Sequence, residues 1–136
     1  MPAYKEAHYV PRSAYRIKEV APALGISKDA LYQQVHAGNV PHVTIGTRLF
    51  VPARYFREVG LEEPAPVQLP AGARAGVPEG YTVAEVAASL GAGIPNIYEL
   101  TAKGVIPQYK EGYRRLIPSE FFSRVGLDAP EIVLLK

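Results

Sequence analysis

The chain contains two copies of one sequence unit. Residues 15–61 align without a gap onto residues 81–127 at a constant offset of 66 positions, and 16 of the 47 aligned pairs are identical. A unit of this length is typical of a small domain, not of one turn of a solenoid. We call the copies module one and module two. Two modules joined by a spacer indicate binding at two sites.

Each unit lies near the lower size limit for a domain that folds without a metal ion or a disulfide. The chain has no cysteine, so neither a disulfide nor a thiolate metal site can supply stability. We therefore expect each module to be stabilised by its flanking segments, by its twin or by a ligand.

The sequence carries no pattern of catalysis. His8, His36 and His42 have no carboxylate or cysteine at the spacing of a metal site. The sequence has no glycine-rich phosphate loop before a helix, no serine–histidine–acid set and no H-E-x-x-H motif. We expect a protein that is not an enzyme and that uses no metal ion or cofactor.

The sequence also predicts a cytoplasmic location without membrane contact. No apolar run approaches the ~20 residues that a membrane-spanning helix needs. Residues 1–6 lack the apolar core of a signal peptide.

The net charge of +2 is small, but the charges are unevenly distributed. Module one holds six Lys and Arg against three Asp and Glu, module two holds five against four, and residues 62–80 hold one against three. Basic modules are typical of proteins that bind phosphates, although an ordinary solvated surface has a similar composition.

The first half of each module predicts two helices. Apolar residues from Ile17 to Leu24 recur at the spacing of one helix face, and Gly25 is typical of a helix end. Ser27 is a good N-cap for a second helix, which Gly38 ends. Two helices joined by such a short turn form a helix-turn-helix unit.

The second half of each module predicts a hairpin and a third helix. Residues 43–45 and 48–51 are β-rich runs around Gly46 and Thr47, and residues 53–59 should form the helix. Module two repeats this order, with a hairpin from Gln108 to Ile117 and a last helix that begins at Ser119. The predicted fold is mainly α with small β-hairpins, an α+β class.

Three further segments flank the modules: an N-terminal arm (residues 1–14), a Pro- and Gly-rich linker (62–80) and a C-terminal tail (128–136). The linker is either a coil stiffened by proline and hinged by glycine, or a segment that crosses one module and fixes a rigid pair. The arm is either a flexible basic extension or packs its tyrosines on module one, which we favour. The apolar tail is expected to dock.

The ordered motifs of each module carry a family resemblance. Module one reads I-K-E-V-A-P-A-L-G at 17–25, L-Y at 31–32, G-N-V-P at 38–41 and G-T-R at 46–48, and module two has counterparts of each. The set resembles the winged helix-turn-helix DNA-binding domain of the excisionase and MerR type, and it covers about 94 of 136 residues. MerR proteins add a dimerisation helix and an effector domain that this chain lacks, so no small-molecule effector is expected.

The resemblance implies that the second helix of each module enters the major groove by its N-terminal half. The positions of module one that would then face DNA are Ser27, Lys28, Asp29, Tyr32, Gln33 and His36. The helix N-terminus at Ser27 suits a phosphate, Lys28 suits guanine or phosphate, and Gln33 suits adenine. By the resemblance, Tyr32 meets the DNA backbone; its alternative is a partly buried ring.

The hairpin of module one would be the wing, with Thr47 and Arg48 near its tip. A wing arginine reaches the minor groove or the phosphates beside it, although Arg48 could instead be an ordinary surface charge. Asp29 has a similar alternative, because a carboxylate in the first turn also stabilises the helix dipole.

Module two departs from this pattern. Its second helix has no basic residue before Lys103, so its candidates are Asn96, Tyr98 and Glu99, whereas its more basic wing offers Lys110, Tyr113, Arg114 and Arg115. We expect module two either to bind DNA mainly through its wing and the backbone, or to have become a copy that binds a protein.

The leading hypothesis is a sequence-specific double-stranded DNA-binding protein, a nucleoid-associated transcription regulator that uses the second helix and wing of both modules. A coiled linker would span roughly 22–26 Å, enough with the widths of the modules to reach two successive DNA turns. One alternative is an excisionase-like factor that bends DNA for recombination. Another is an interaction module that docks a polymerase, a recombinase or a phage component. A second copy of the chain is a further candidate partner.

Overall fold

The computed structural model describes residues 7–63, 66–70, 75 and 80–134. Within these residues the fold is mixed α+β, with six helices and nine strands in three small antiparallel sheets. No described helix is long and apolar enough to cross a membrane. The helices are α1 Ile17–Leu24, α2 Lys28–His36, α3 Arg54–Glu58, α4 Val83–Leu90, α5 Ile94–Ala102 and α6 Glu120–Arg124. The strands are β1 Ala7–Val10, β2 Ala14–Arg16, β3 Val43–Ile45, β4 Arg48–Pro52, β5 Val67–Pro70, β6 Gly80–Tyr81, β7 Tyr109–Glu111, β8 Arg114–Pro118 and β9 Val133–Leu134.

Local chemistry explains the elements of module one. Gly25 adopts the left-handed conformation that ends α1, and the Ser27 hydroxyl accepts a hydrogen bond from the Ala30 N–H at the start of α2. Strands β3 and β4 form hairpin one (residues 43–52), and β2 pairs with the other edge of β4. The Tyr15 and Phe56 rings stack with their centroids 4.4 Å apart, which fixes α3 against β2.

Module two repeats these elements with the offset of the sequence repeat. Its three helices and the two strands of hairpin two (residues 109–118) begin and end 66 positions after their counterparts in module one. The four glycine pairs with positive φ follow the same offset: Gly25 and Gly91, Gly38 and Gly104, Gly46 and Gly112, Gly60 and Gly126. The predicted helices and hairpins of both modules are therefore confirmed.

The arm, the linker and the tail together form a sheet that the sequence did not predict, with the strand order β5-β1-β9. Tyr9 in the central strand pairs with Gln68 of the linker and with Val133 of the tail. From this strand, Nε2 of the buried His8 lies 3.2 Å from Oε2 of the buried Glu85 on α4. The fold therefore contains more strand than the mainly α prediction allowed.

This sheet corrects one prediction about the flanking segments. The interpretation of the linker as a hinged coil is wrong for residues 67–70, which form β5. Strand β1 lies against α4 of module two. Ser13, which follows it, contacts both modules: its carbonyl accepts a hydrogen bond from the Ala53 N–H, and its N–H donates to the Ser89 carbonyl. Tyr4, which we expected to pack on module one, lies outside the described residues.

The two modules share a hydrophobic core. Module one has its own cluster around Val20, Leu31 and Phe56, but Ile45 and Phe50 of hairpin one belong to the core of module two. Apolar burial is the main stabilising term for such small units. This packing therefore stabilises each module through the other module, as we expected. The linker therefore joins modules that are in contact, as in the second of its two interpretations.

Contacts between the modules involve several elements. Strand β2 lies against α4, and hairpin one lies beside α5 and the residues that follow it. Leu100 and Val105 lie beside the tip of hairpin one. The Arg54 guanidinium donates a hydrogen bond to the Gly126 carbonyl at 3.1 Å. The same contact cannot recur between hairpin two and another copy of α2, because polar residues replace its apolar ones. Ile45 has Glu111 as counterpart, Leu100 has Gln34, Val105 has Asn39, and Arg54 has Glu120.

Candidate nucleic-acid interface

A cleft of about 370 Å³ separates α2 from hairpin one. Four of its lining side chains are cationic and none is acidic: Arg16, Lys18, Lys28 and Arg48 line it together with Ile17, Tyr32, Thr47, Leu49 and Phe50. We call this site the basic cleft. It collects residues from β2, α1, α2 and hairpin one, so it exists only in the folded module.

The cations of the basic cleft are largely unneutralised. Among the described residues, no carboxylate lies within ion-pair distance of Lys18 or Lys28. Nε of Arg16 is buried without a hydrogen-bond partner in the described part of the chain. Arg48 donates to Oδ1 of Asn96 at 3.3 Å, an exposed contact that connects hairpin one to α5. Clustered cations that form no ion pair with the described carboxylates create a positive potential that favours an anionic ligand.

The predicted residues of α2 lie on its exposed surface. Lys28 and Tyr32 face the basic cleft, and Tyr32 is 39% exposed, so its side chain is partly buried but accessible from solvent. The remaining positions, Ser27, Asp29, Gln33 and His36, are also exposed. Thr47 and Arg48 stand on the opposite wall of the cleft. The structure thus brings the module-one candidates to one surface, formed by α2 and hairpin one.

Sequence reasoning missed Arg16 and Lys18. Both residues contributed to the charge counted for module one, and Lys18 occupies an exposed position of α1. A sharper signal was present in the repeat. Arg16 and Lys18 have the neutral counterparts Thr82 and Ala84 in module two. Basic residues confined to one copy of a repeat mark a function that the other copy does not share.

The corresponding positions of module two form a different surface. Lys28 is replaced by Ile94 and Thr47 by Tyr113, while the tyrosine of the second helix is retained as Tyr98. Module two therefore lacks cations at the positions that correspond to Arg16, Lys18 and Lys28.

The polar candidates of module two have partners within the chain. Asn96 accepts the hydrogen bond from Arg48, and Glu99 forms an exposed ion pair with Lys103 at 2.8 Å. The hydrogen bond from Lys103 and its positive charge lower the pKa of the Glu99 carboxyl. Arg114 donates to the carbonyl of Ala75 in the linker at 3.0 Å, whereas Lys110 and Arg115 are exposed on hairpin two.

The described residues contain no group of three or more His, Cys, Asp or Glu that could hold a metal ion. Comparison with known proteins finds no matching family model, no matching curated protein and no matching solved structure.

Proposed function

We propose that this protein binds double-stranded DNA through module one and acts as a transcription regulator. The two modules are, in this proposal, tandem winged helix-turn-helix domains without catalytic activity. The observation that carries the proposal is the basic cleft, because it stands between a helix and a hairpin that could each enter a groove of DNA.

The position of the cleft matches the shape of a duplex. A phosphate backbone separates the major groove from the adjacent minor groove, so a protein that enters both grooves must accept the backbone between its two reading elements. Lys28 on α2 and Arg48 on hairpin one face the cleft from opposite sides, and Arg16 and Lys18 also line it. The cleft lining holds four cations and no carboxylate. This composition suits the DNA backbone, because phosphate contacts supply much of the affinity of DNA-binding proteins.

The exposed face of α2 supplies groups for reading bases. In the proposed complex, Gln33 pairs with adenine and Lys28 with guanine or with a phosphate. The N-terminus of α2, capped by Ser27, carries the positive end of the helix dipole toward a phosphate. Thr47 and Arg48 lie beside the minor groove.

Packing between the modules alters the expected binding site. Hairpin one lies beside α5, so the order of elements across this surface is α2, hairpin one, α5 and hairpin two. Because the modules share a core, module two would meet DNA at a fixed distance from module one. We expect one strong subsite for module one and a weak flanking contact from Lys110 and Arg115.

Fluorescence anisotropy with labelled duplexes tests the proposal. Selection from a random duplex library at near-physiological salt first defines the site. Lys28→Ala and Arg48→Ala should then weaken binding to every duplex and reduce the slope of log affinity against log salt by about one each. Gln33→Ala should mainly relax the base preference at one position.

Two control variants interpret these results. Asn96→Ala removes the partner of Arg48 in α5 without changing the basic cleft, so it separates a DNA contact from an intermodule contact. Lys103→Ala removes an exposed cation outside the cleft. If Lys28→Ala and Arg48→Ala bound DNA as tightly as the unsubstituted chain, the basic cleft would not be a backbone site. Selection without an enriched motif would exclude a sequence-specific regulator.

A further inference from the structure

We propose that module two carries a docking surface for an acidic peptide segment with apolar side chains, presented by a protein partner. The surface, which we call the module-two face, consists of Ile94 and Tyr98 on α5 and Tyr113 at the tip of hairpin two. It corresponds by the repeat to the basic cleft of module one. The inference rests on module two alone and does not require that module one bind DNA.

Apolar exposure is the first argument. Ile94 is 46% exposed, Tyr98 is 56% exposed and Tyr113 is fully exposed. Their counterparts Lys28, Tyr32 and Thr47 line a single cleft, and both modules have the same elements at the same offset. By the repeat, the three side chains occupy the positions of α5 and hairpin two that correspond to the lining of that cleft. Adjacent exposed apolar side chains of this size are typical of interaction sites.

The residue types are those of an interface anchor. Tyrosine is enriched among residues that dominate binding energy, since it buries a large ring and keeps a polar tip. Thr47 and Lys28, which these residues replace, would serve solubility better on a free surface. Module two therefore has apolar side chains where module one has polar ones, a difference that favours contact with a partner over contact with solvent.

The surrounding charges select an acidic partner. Lys110 and Arg115 are exposed on hairpin two, and the guanidinium of Arg114 is also at this hairpin. The acidic groups nearby are Glu111, which is exposed, and Glu99, which Lys103 neutralises. Lys110 and Arg115 outnumber Glu111, the one carboxylate here that has no ion pair among the described residues, so positive charge predominates beside the apolar side chains. Such a surface is complementary to carboxylates that flank apolar side chains.

Duplex DNA fits this surface less well than a peptide does. The cations at the positions of Arg16, Lys18 and Lys28 are absent here, and phosphates gain nothing from Ile94. Hairpin one also covers the side of α5 that carries Asn96 and Leu100. Stacking of single-stranded bases on Tyr98 and Tyr113 is a separate outcome that the experiment distinguishes.

The experiment selects ligands from a displayed library of random short peptides with the full-length chain, followed by synthesis of one enriched peptide with a fluorescent label. The matched variant is Ile94→Lys combined with Tyr113→Thr, which gives module two the residues of module one at two exposed positions. We expect enriched peptides to combine Asp or Glu with Leu, Phe or Trp. The labelled peptide should lose roughly tenfold or more in affinity for the double variant.

Controls make each outcome decisive. Lys110→Ala with Arg115→Ala should weaken binding of the same peptide and reduce its salt dependence. Arg57→Ala, which removes an exposed cation of module one outside the basic cleft, should leave binding of the peptide unchanged. Thermal unfolding by circular dichroism should be the same for all variants, because the substituted positions are exposed. The proposal would be overturned if no peptide were enriched, or if the enriched peptides lacked acidic residues. It would also be overturned if the labelled peptide bound the double variant as tightly as the unsubstituted chain. Binding of oligothymidine that the double variant abolishes would overturn it in favour of single-stranded nucleic acid.

Discussion

Gly46 of hairpin one lies against Leu100 of α5, so close that a Cβ atom on the glycine would come within 3.0 Å of Leu100 Cδ2. Its repeat counterpart, Gly112 of hairpin two, has almost the same backbone conformation, with φ of 63° against 65°, but no neighbour within 4 Å in the described part of the chain. Both glycines have the backbone conformation of a tight turn, but only Gly46 packs against the other module. A comparison of substitutions at the two positions therefore separates backbone strain from packing between the modules.

Substitution of these glycines by alanine should measure the intermodule contact. Both Gly46→Ala and Gly112→Ala should lose about 1–2 kcal/mol of unfolding free energy, because an L residue is disfavoured at positive φ. Gly46→Ala should lose up to about 1 kcal/mol more, since Leu100 must move to admit the new methyl group. Urea unfolding of both variants measures the difference. Equal losses would contradict close packing of hairpin one on α5.

The paired tyrosines Tyr15 and Tyr81 should respond in opposite directions to removal of the hydroxyl. The Tyr15 hydroxyl is buried without a hydrogen-bond partner among the described residues, and burial raises the pKa of Tyr15 to about 12. The Tyr81 hydroxyl donates to the Pro130 carbonyl at 2.8 Å. Tyr15→Phe should leave stability unchanged or raise it, whereas Tyr81→Phe should cost about 1 kcal/mol. Thermal unfolding of the two variants provides the measurement, and a larger loss for Tyr15→Phe would indicate a partner for its hydroxyl.

Acidification should weaken the fold through Glu19. Burial by itself would raise the pKa of this carboxyl, but hydrogen bonds from the Arg12 guanidinium and the Arg16 N–H outweigh burial and hold the pKa below its ordinary value of 4.5. A carboxyl with a lowered pKa in the folded state stabilises the protein above pH 4.5, and this contribution is lost as the pH falls further.

Unfolding free energies measured between neutral pH and the acid range check this prediction. Glu19→Gln should cost about 1–3 kcal/mol at neutral pH and flatten the decline on acidification, because the charged hydrogen bonds are lost. Glu120→Gln, which breaks an exposed pair with Arg124, serves as the control and should change little. A decline of equal steepness in Glu19→Gln would assign the acid sensitivity to other groups.

The contact between hairpin one and α5 should be reproduced between two molecules when its apolar residues are placed on hairpin two and α2. Glu111→Ile places the counterpart of Ile45 on hairpin two. Gln34→Leu with Asn39→Val gives α2 the apolar surface of α5. Head-to-tail contacts of this kind are heterologous and need both surfaces. A mixture of the two variants should therefore form a complex in sedimentation velocity, whereas neither variant alone should associate. Self-association of one variant by itself would indicate non-specific adhesion.

Much of each module could be predicted from the sequence, because local chemistry decides it. Gly25 ends α1 through its own backbone freedom, and Ser27 begins α2 through a hydrogen bond to a residue three positions away. The spacing of Leu31 and Val35 predicted the buried face of α2. These signals act within a few residues, and most of them occur in both modules.

The candidate site was only partly accessible to such reasoning. Lys28, Tyr32 and Arg48 were predicted from the order of the motifs, and they face one cleft. Arg16 and Lys18 were not predicted, because their proximity to hairpin one depends on how β2 and α1 pack in three dimensions. A helical period describes which side of a helix is exposed, but not which other element stands opposite that side.

By itself the sequence determined that the chain has two modules, where their helices and hairpins begin and end, and that basic charge is concentrated on the first. Two features emerge from tertiary packing alone: Ile45 and Phe50 of one module complete the core of the other, and arm, linker and tail pair as β1, β5 and β9. The difference arises from the range of the interactions involved. Caps and turns are decided by neighbours along the chain, whereas the pairing of distant strands and the packing of hairpin one on α5 depend on the apolar surface that remains exposed after each module has folded.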